Sequence, residues 1–215
     1  MFSLAGRQAV PSLDWNRKWG AMISDFSAGP EEEHFGDRWG CPDSFAPLIE
    51  VRRRFIDPYF VPGGTVLEIG SGGGRWTQYF LSAGRLIVVE FNAESFDCLR
   101  QRFPDLRFQP YQTSGYEMNG VETASVDLVF TFDVFVHLEP EGIKAYLIEI
   151  ERVLKPNGVA VVHYGDISKK IARDNPGFSR MIRPLMEELI AATRLRVLAH
   201  DEDIMFHSNL VVLAH

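Results

Sequence analysis

The segment Val66-Leu67-Glu68-Ile69-Gly70-Ser71-Gly72-Gly73-Gly74-Arg75-Trp76 constrains the fold more than any other. A short apolar run that meets glycine at 70, 72, 73 and 74 reads as a buried strand entering a tight turn. Glycine suits such a turn because it tolerates positive φ and lets other groups approach the backbone. A helix is expected from about Arg75. Apolar runs at 65–69, 86–90, 106–109, 126–130 and 159–162 then alternate with helical patterns, and two more strands are expected at 195–199 and 210–213. Such alternation is the sequence form of an α/β fold, a mostly parallel sheet with helices on both faces.

The clearest helix lies between the fourth and fifth strands, where Ile143, Tyr146, Leu147, Ile150, Val153 and Leu154 recur at helical spacing. Pro140 marks its first turn, and Lys155-Pro156-Asn157-Gly158 stops it. A second amphipathic helix is expected over 178–193. Residues 1–63 differ: Trp15, Trp19 and Trp39 are interleaved with Asp14, Asp25, Glu31, Glu32, Glu33 and Asp37. With no repeat or long linker to detach it, this stretch is expected to cap a core at 64–215 within a single domain of 1–215.

The turn gains meaning from Glu90, which closes the next strand 20 positions after Gly70. A carboxylate there can accept hydrogen bonds from both hydroxyls of a ribose lying across the turn, so a nucleoside cofactor is implied. A dinucleotide fingerprint GxGxxG needs glycine at 75, where this chain has arginine. Glu68 on the approach to the loop would repel a diphosphate and suits a cationic ligand. Both points favour S-adenosylmethionine over a nicotinamide cofactor.

The net charge of −7 argues against nucleic-acid binding through the phosphate backbone, and Arg52-Arg53-Arg54 is read as a solvated helix face. Cys41 and Cys98 have no metal-binding or disulfide spacing. No apolar run approaches the roughly 18 residues of a membrane span. Residues 1–11 lack the basic-then-apolar order of a signal peptide, so a cytoplasmic location is expected.

From Val66 to about Val162 these residues resemble the class I S-adenosylmethionine-dependent methyltransferases. The glycine turn is similar to that family's first motif and Glu90 to its ribose acid. Val126-Asp127-Leu128-Val129 is similar to its fourth strand, and Leu154-Lys155-Pro156-Asn157-Gly158 to its helix-to-strand turn. The resemblance implies a Rossmann-like seven-stranded sheet with an antiparallel last strand. It also implies S-adenosylmethionine held by Glu68, Gly70, Ser71, Gly72, Glu90, Phe91 and Phe132, with Ser114, Gly115 and Tyr116 near the adenine. The aspartate frequent in that third-strand loop is missing here.

Acceptor chemistry in such folds comes from residues just past the strand ends. Asp133 and His137, spaced by four, would share one side of a helical segment, and a neutral imidazole can take a proton from a hydroxyl. His163-Tyr164-Gly165-Asp166 and His207-Ser208-Asn209 are further candidates to line an acceptor pocket. Asp133 with Asp166 would supply oxygen ligands for a divalent cation such as magnesium. Phe35-Gly36-Asp37-Arg38-Trp39-Gly40 offers aromatic faces. These features resemble O-methyltransferases of polysaccharide biosynthesis acting on methylated mannosides, which implies a hydroxylated glycan or other small molecule as acceptor. A nicotinamide-dependent oxidoreductase, a non-catalytic S-adenosylmethionine-binding subunit and a homodimer stay open.

Overall fold

A computed structural model describes residues 18–20, 22–23 and 34–215. Trp15, Asp14, Asp25, Glu31, Glu32 and Glu33 of the expected cap, and residues 1–11, lie outside the described residues. The core is a seven-stranded sheet in the order β3-β2-β1-β4-β5-β7-β6. Its strands are β1 (Thr65–Ile69), β2 (Arg85–Glu90), β3 (Gln109–Gln112), β4 (Val126–Phe135), β5 (Leu154–Gly165), β6 (Arg196–Asp201) and β7 (Ser208–Ala214). Strands β1 to β5 pair in parallel, whereas β7 runs antiparallel to both β5 and β6. The expected Rossmann-like sheet with an antiparallel last strand is present.

Because side chains alternate across a strand, each central strand feeds two cores. Leu67, Ile69, Ile87, Val89 and Val129 pack on one face with the apolar stripe of α3 (Pro140–Val153) and with Met186 and Ile190 of α5 (Arg183–Ala191). Val66, Leu86, Val88, Leu128 and Phe130 pack on the other, against Leu48 and Val51 of α1 (Ala46–Val51) and Phe96 and Leu99 of α2 (Glu94–Arg102). A five-residue helix, α4 (Lys170–Asp174), follows β5.

Four expectations shift. No α-helix begins at Arg75; residues 72–76 form turns and lead into a 3-10 helix at Thr77–Phe80. The third strand lies three residues beyond 106–109, because Leu106 and Phe108 pack into the core from the approach while the edge strand itself is mostly exposed. Lys155-Pro156-Asn157-Gly158 does end α3, but the chain is already extended there, with Leu154 paired to Val126. The helix expected from 178 starts at Arg183, with Pro184 fixing its first turn. Its approach is tied down by the Ser179 N–H donating to the Val136 carbonyl at 2.7 Å.

Arg52, Arg53 and Arg54 pair with Asp43, Glu50 and Asp201, as befits a surface charge run. Cys41 and Cys98 are free thiols. No helix among the described residues is long and apolar enough to cross a membrane.

Candidate active site

A cavity of about 550 Å³ crosses the ends of β2, β1 and β4 and runs on to the segment that precedes β7. Its floor begins at the glycine turn. Gly70 has φ +77°, and a Cβ there would meet Val134 Cγ2 at 2.1 Å, so both backbone angle and space require glycine. Gly73 is needed for a different reason: a Cβ would lie 2.3 Å from the Phe35 carbonyl oxygen, which accepts the Gly73 N–H at 3.1 Å. The backbone at Phe35 therefore docks on the turn. Arg102 of α2 reinforces the junction, donating to the Gly73 carbonyl at 2.9 Å and to Asp37 at 3.1 Å.

At one end of the cavity Glu90 accepts the Gly72 N–H at 2.7 Å and the Ser71 hydroxyl at 3.1 Å. Burial pushes its carboxyl above the ordinary range, and those two donors pull it back. Gly70, Ser71, Gly72, Phe91, Gly115, Tyr116 and Phe132 also line the cavity. A turn kept bare by glycine beside a carboxylate that faces the same space fits the sugar and methionine parts of an adenosyl ligand.

Two expected contacts sit elsewhere. Ser114 does not line the cavity; its N–H and hydroxyl both donate to Glu117 at 2.8 Å. Glu68 lies beneath the turn, accepting the Thr77 hydroxyl at 2.7 Å, outside the cavity wall. Burial raises its pKa to about 8, so at neutral pH it carries a proton and offers no charge to a ligand. The expectation that Glu68 selects a cationic ligand by charge has no basis in this geometry.

Asp133 and His137 both line the cavity, though not from a helix. Strand β4 continues to Phe135, and the pairing with β5 shifts register between Thr131 and Phe135. Asp133 sits within that irregularity at φ +60°, a left-handed conformation that re-aims its side chain. The Asp133 N–H donates to His163 Nδ1 at 3.1 Å, and its carboxylate accepts from Arg75. Burial would raise this carboxyl, but the charge of Arg75 and then His163 outweigh it and hold it below its ordinary value.

His137 Nδ1 lies 2.7 Å from the Gly177 carbonyl, and its ring lies 5.8 Å from Trp19 and 5.5 Å from Phe178. A carbonyl only accepts, so Nδ1 carries the proton and Nε2 keeps its lone pair. Burial lowers the ring's pKa despite Gly177 and Asp133, which favours this neutral form.

His163 is part of the scaffold and not of the cavity wall. It is fully buried in β5, stacked on Phe132 at 3.9 Å, and held near Ser208 through Nε2. Burial depresses its pKa to about 3. Tyr164, Asp166, Ser208 and Asn209 are also buried outside the wall; Asp166 accepts Asn209 Nδ2 at 2.8 Å and the Ser168 N–H at 2.9 Å. With Asp133 committed to Arg75 and Asp166 to Asn209, the expected carboxylate pair for a cation is not assembled. Among the described residues, no group of three or more His, Cys, Asp or Glu is placed to hold a metal ion.

Of the third candidate group, His207 alone reaches the cavity. Arg75 was visible in the sequence only as a missing glycine, yet it lines the cavity and joins the turn to Asp133. Trp19, Phe35 and Trp39 form an aromatic cluster in the cavity wall, with ring centroids 5.4 to 6.1 Å apart.

Residues 66–158 match the family model described as a methyltransferase domain. A curated relative, ribosomal RNA small subunit methyltransferase A of Parabacteroides distasonis, is 58% identical over 43 residues, which is 20% of this chain and 16% of that protein. The structure is similar to a TehB-like SAM-dependent methyltransferase from Corynebacterium glutamicum, with TM-score 0.60 and 19% identity over 93% of this chain and 97% of that one. It is also similar to geranyl diphosphate C-methyltransferase from Streptomyces coelicolor, solved with Mg2+, geranyl diphosphate and S-adenosyl-L-homocysteine, with TM-score 0.67 and 14% identity over 96% and 99% of the two chains. The family match thus spans the glycine turn, Glu90 and the fourth strand, and the solved structures show that the chain shares their fold.

Proposed function

We propose that this chain transfers a methyl group from S-adenosylmethionine to a hydroxyl of a small ring-bearing molecule, a carbohydrate being the acceptor expected from the sequence. The observation that carries the reading is His137: a buried, neutral imidazole with Nδ1 held by the Gly177 carbonyl, lining the same cavity as the glycine turn and Glu90.

Glu90 would accept the ribose hydroxyls, and the backbone of Gly70, Ser71 and Gly72 would lie along the methionine part. Phe91, Gly115 and Tyr116, which line the same cavity, would flank the base, and Phe132 would border the reacting end. Bound S-adenosylmethionine supplies a methyl group made electrophilic by its sulfonium. His137 Nε2 receives the acceptor's hydroxyl proton as that oxygen becomes nucleophilic, and the nearby Asp133 carboxylate favours the resulting positive charge on the ring. Asp133 is itself held in place by Arg75 and by its N–H bond to His163. Trp19, Phe35 and Trp39 offer faces on which a ring can stack and exclude water, so much of the rate would come from alignment. The net charge of −7 supports a small acceptor over RNA.

The test is transfer of label from methyl-labelled S-adenosylmethionine to a panel of hydroxylated glycans, aromatic alcohols and hydroxy acids, with amines and thiols of matching shape as controls. Label on oxygen is expected. Label confined to nitrogen, sulfur or carbon would overturn the reading of the acceptor atom.

A further inference from the structure

His137 stands in the middle of a continuous run of rings. On one side its ring lies 5.8 Å from Trp19, which in turn lies 5.8 Å from Trp39. On the other it lies 5.5 Å from Phe178, which lies 5.2 Å from His207. All of these line the cavity. The second branch ends at solvent: Phe206, next to His207, is 69% exposed, and Ile171 of α4 is 54% exposed. Both still belong to the cavity wall. A single exposed apolar side chain needs no explanation, whereas two at a cavity lip, continuous with an aromatic interior, make an apolar surface that water covers at a cost.

The fold fixes where this lip stands. Ile171 follows β5 and Phe206 precedes β7, and the strand order sets β5 and β7 beyond β4, on the side of β1 away from β2 and Glu90. The lip therefore opens past His137 and not over the ribose site. Lys169, at the start of α4, donates to the carbonyls of Glu202, Met205 and Ser208, which ties the segment bearing Phe206 to the helix bearing Ile171. Polar groups at this end are already matched. The Asp133 carboxylate pairs with Arg75, and Asn175 Oδ1 accepts the Gly177 N–H at 2.9 Å. Burial lowers the pKa of both His137 and His207, which keeps the two rings neutral. Among the described residues that wall this end, no unmatched charge remains to hold an ionic ligand.

Resting on the methyl-transfer reading, we propose that the acceptor carries an uncharged apolar chain, which leaves the cavity across Phe178, Phe206 and Ile171 while its hydroxyl stays at His137. The wall offers a proton acceptor at His137 Nε2 and apolar faces beyond it, the complement of an amphipathic molecule with its hydroxyl at the head. Covering the lip removes apolar area from water, and because Lys169 already ties the two sides together, little ordering is needed on binding. A concave wall continuous with the interior suits a slender chain better than a protein face.

The test uses probes that differ only in chain length. Protein saturated with S-adenosylhomocysteine is titrated by calorimetry with butyl, hexyl and octyl β-D-glucosides below their micellar concentrations. A fully buried methylene is worth about fourfold in affinity, and the lip leaves one side of the chain open, so the octyl probe should bind at least about tenfold more tightly than the butyl one. Replacing Phe206 and Ile171 together by serine should cut that gain to about twofold or less, with S-adenosylhomocysteine affinity within about twofold of wild type. Val197→Ser with Leu198→Ser, an exposed apolar pair on β6 outside the cavity wall, should leave the gain intact. Equal binding of butyl and octyl probes by the wild-type protein would overturn the proposal. So would a gain that survives loss of Phe206 and Ile171, a gain lost equally with Val197 and Leu198, or an octyl probe that displaces S-adenosylhomocysteine. A dimer that the Phe206 and Ile171 substitutions convert to monomer in sedimentation would also overturn it, since the lip would then be a surface for a second copy. If the double variant does not fold, Phe206→Ser alone decides and should remove at least half of the gain. Failure of the wild-type protein to bind S-adenosylhomocysteine overturns both readings, while cofactor binding without dependence on chain length overturns this one alone.

Discussion

Replacing Glu90 with glutamine isolates the contribution of a single charged oxygen to cofactor binding. In the structure Glu90 Oε1 accepts both the Gly72 N–H and the Ser71 hydroxyl, at 2.7 and 3.1 Å. Glutamine keeps one oxygen for those partners, so the turn should hold its shape, and relief of a buried carboxylate offsets weaker acceptance. What is lost is the second oxygen as an acceptor and the charge that strengthens a bond from a ribose hydroxyl. A hydrogen bond to a charged group contributes about 1.5–3 kcal/mol. At about 1.4 kcal/mol per tenfold, Kd for S-adenosylhomocysteine should rise roughly ten- to hundredfold. Calorimetric titration reads this directly, and thermal unfolding in the same buffer checks that the fold is intact. An unchanged Kd in a folded Glu90→Gln protein would refute the assignment of Glu90 to the ribose.

Three further outcomes are expected. Gly70→Ala adds a methyl at 2.1 Å from Val134 Cγ2 in a left-handed backbone, which should lower stability by about 2–5 kcal/mol in denaturant unfolding; wild-type stability would show that the turn is not the tight one described. Glu68, with a folded pKa of about 8, keeps its proton where the unfolded chain has lost it, so it stabilises fully at low pH and loses that contribution as pH rises through 8. His163, depressed to about 3, acts oppositely, adding stability above 6.5 that is lost as pH falls. Between pH 6.5 and 8 the Tm should therefore decline, and Glu68→Gln should flatten the decline; an equal slope in both proteins would contradict the buried, protonated state. His137→Ala should lower kcat by about a hundredfold or more with S-adenosylhomocysteine affinity unchanged, and wild-type activity should fall only below the ordinary histidine range, since burial lowers the His137 pKa. Wild-type kcat in the variant would remove the base.

What was legible in the sequence is what local chemistry determines. The apolar runs of β1, β2 and β7 and the stripe of α3 announce themselves because burial on a sheet face leaves no choice of residue. The edge strand β3 does not, since Gln109, Pro110 and Gln112 are exposed and carry no apolar pattern. The cavity around Gly70, Gly72 and Glu90 was readable from spacing alone. By contrast, Asp133 faces the cavity because β4 breaks register and His163, 30 residues away, accepts its N–H. Arg75 acquires its place from Asp133, 58 residues distant. A buried arginine ending a glycine turn was the available signal, but its partner depends on the packing of β4 beside β1. The protonation of Glu68 is likewise a product of burial that composition cannot report.

A crystal structure with S-adenosylhomocysteine bound tests the central claim most directly. The ribose should rest on Glu90, the homocysteine along Gly70 to Gly72, and the sulfur should face the side of the cavity that holds Asp133 and His137. Density for the ligand outside this cavity, or with the ribose away from Glu90, would contradict the account.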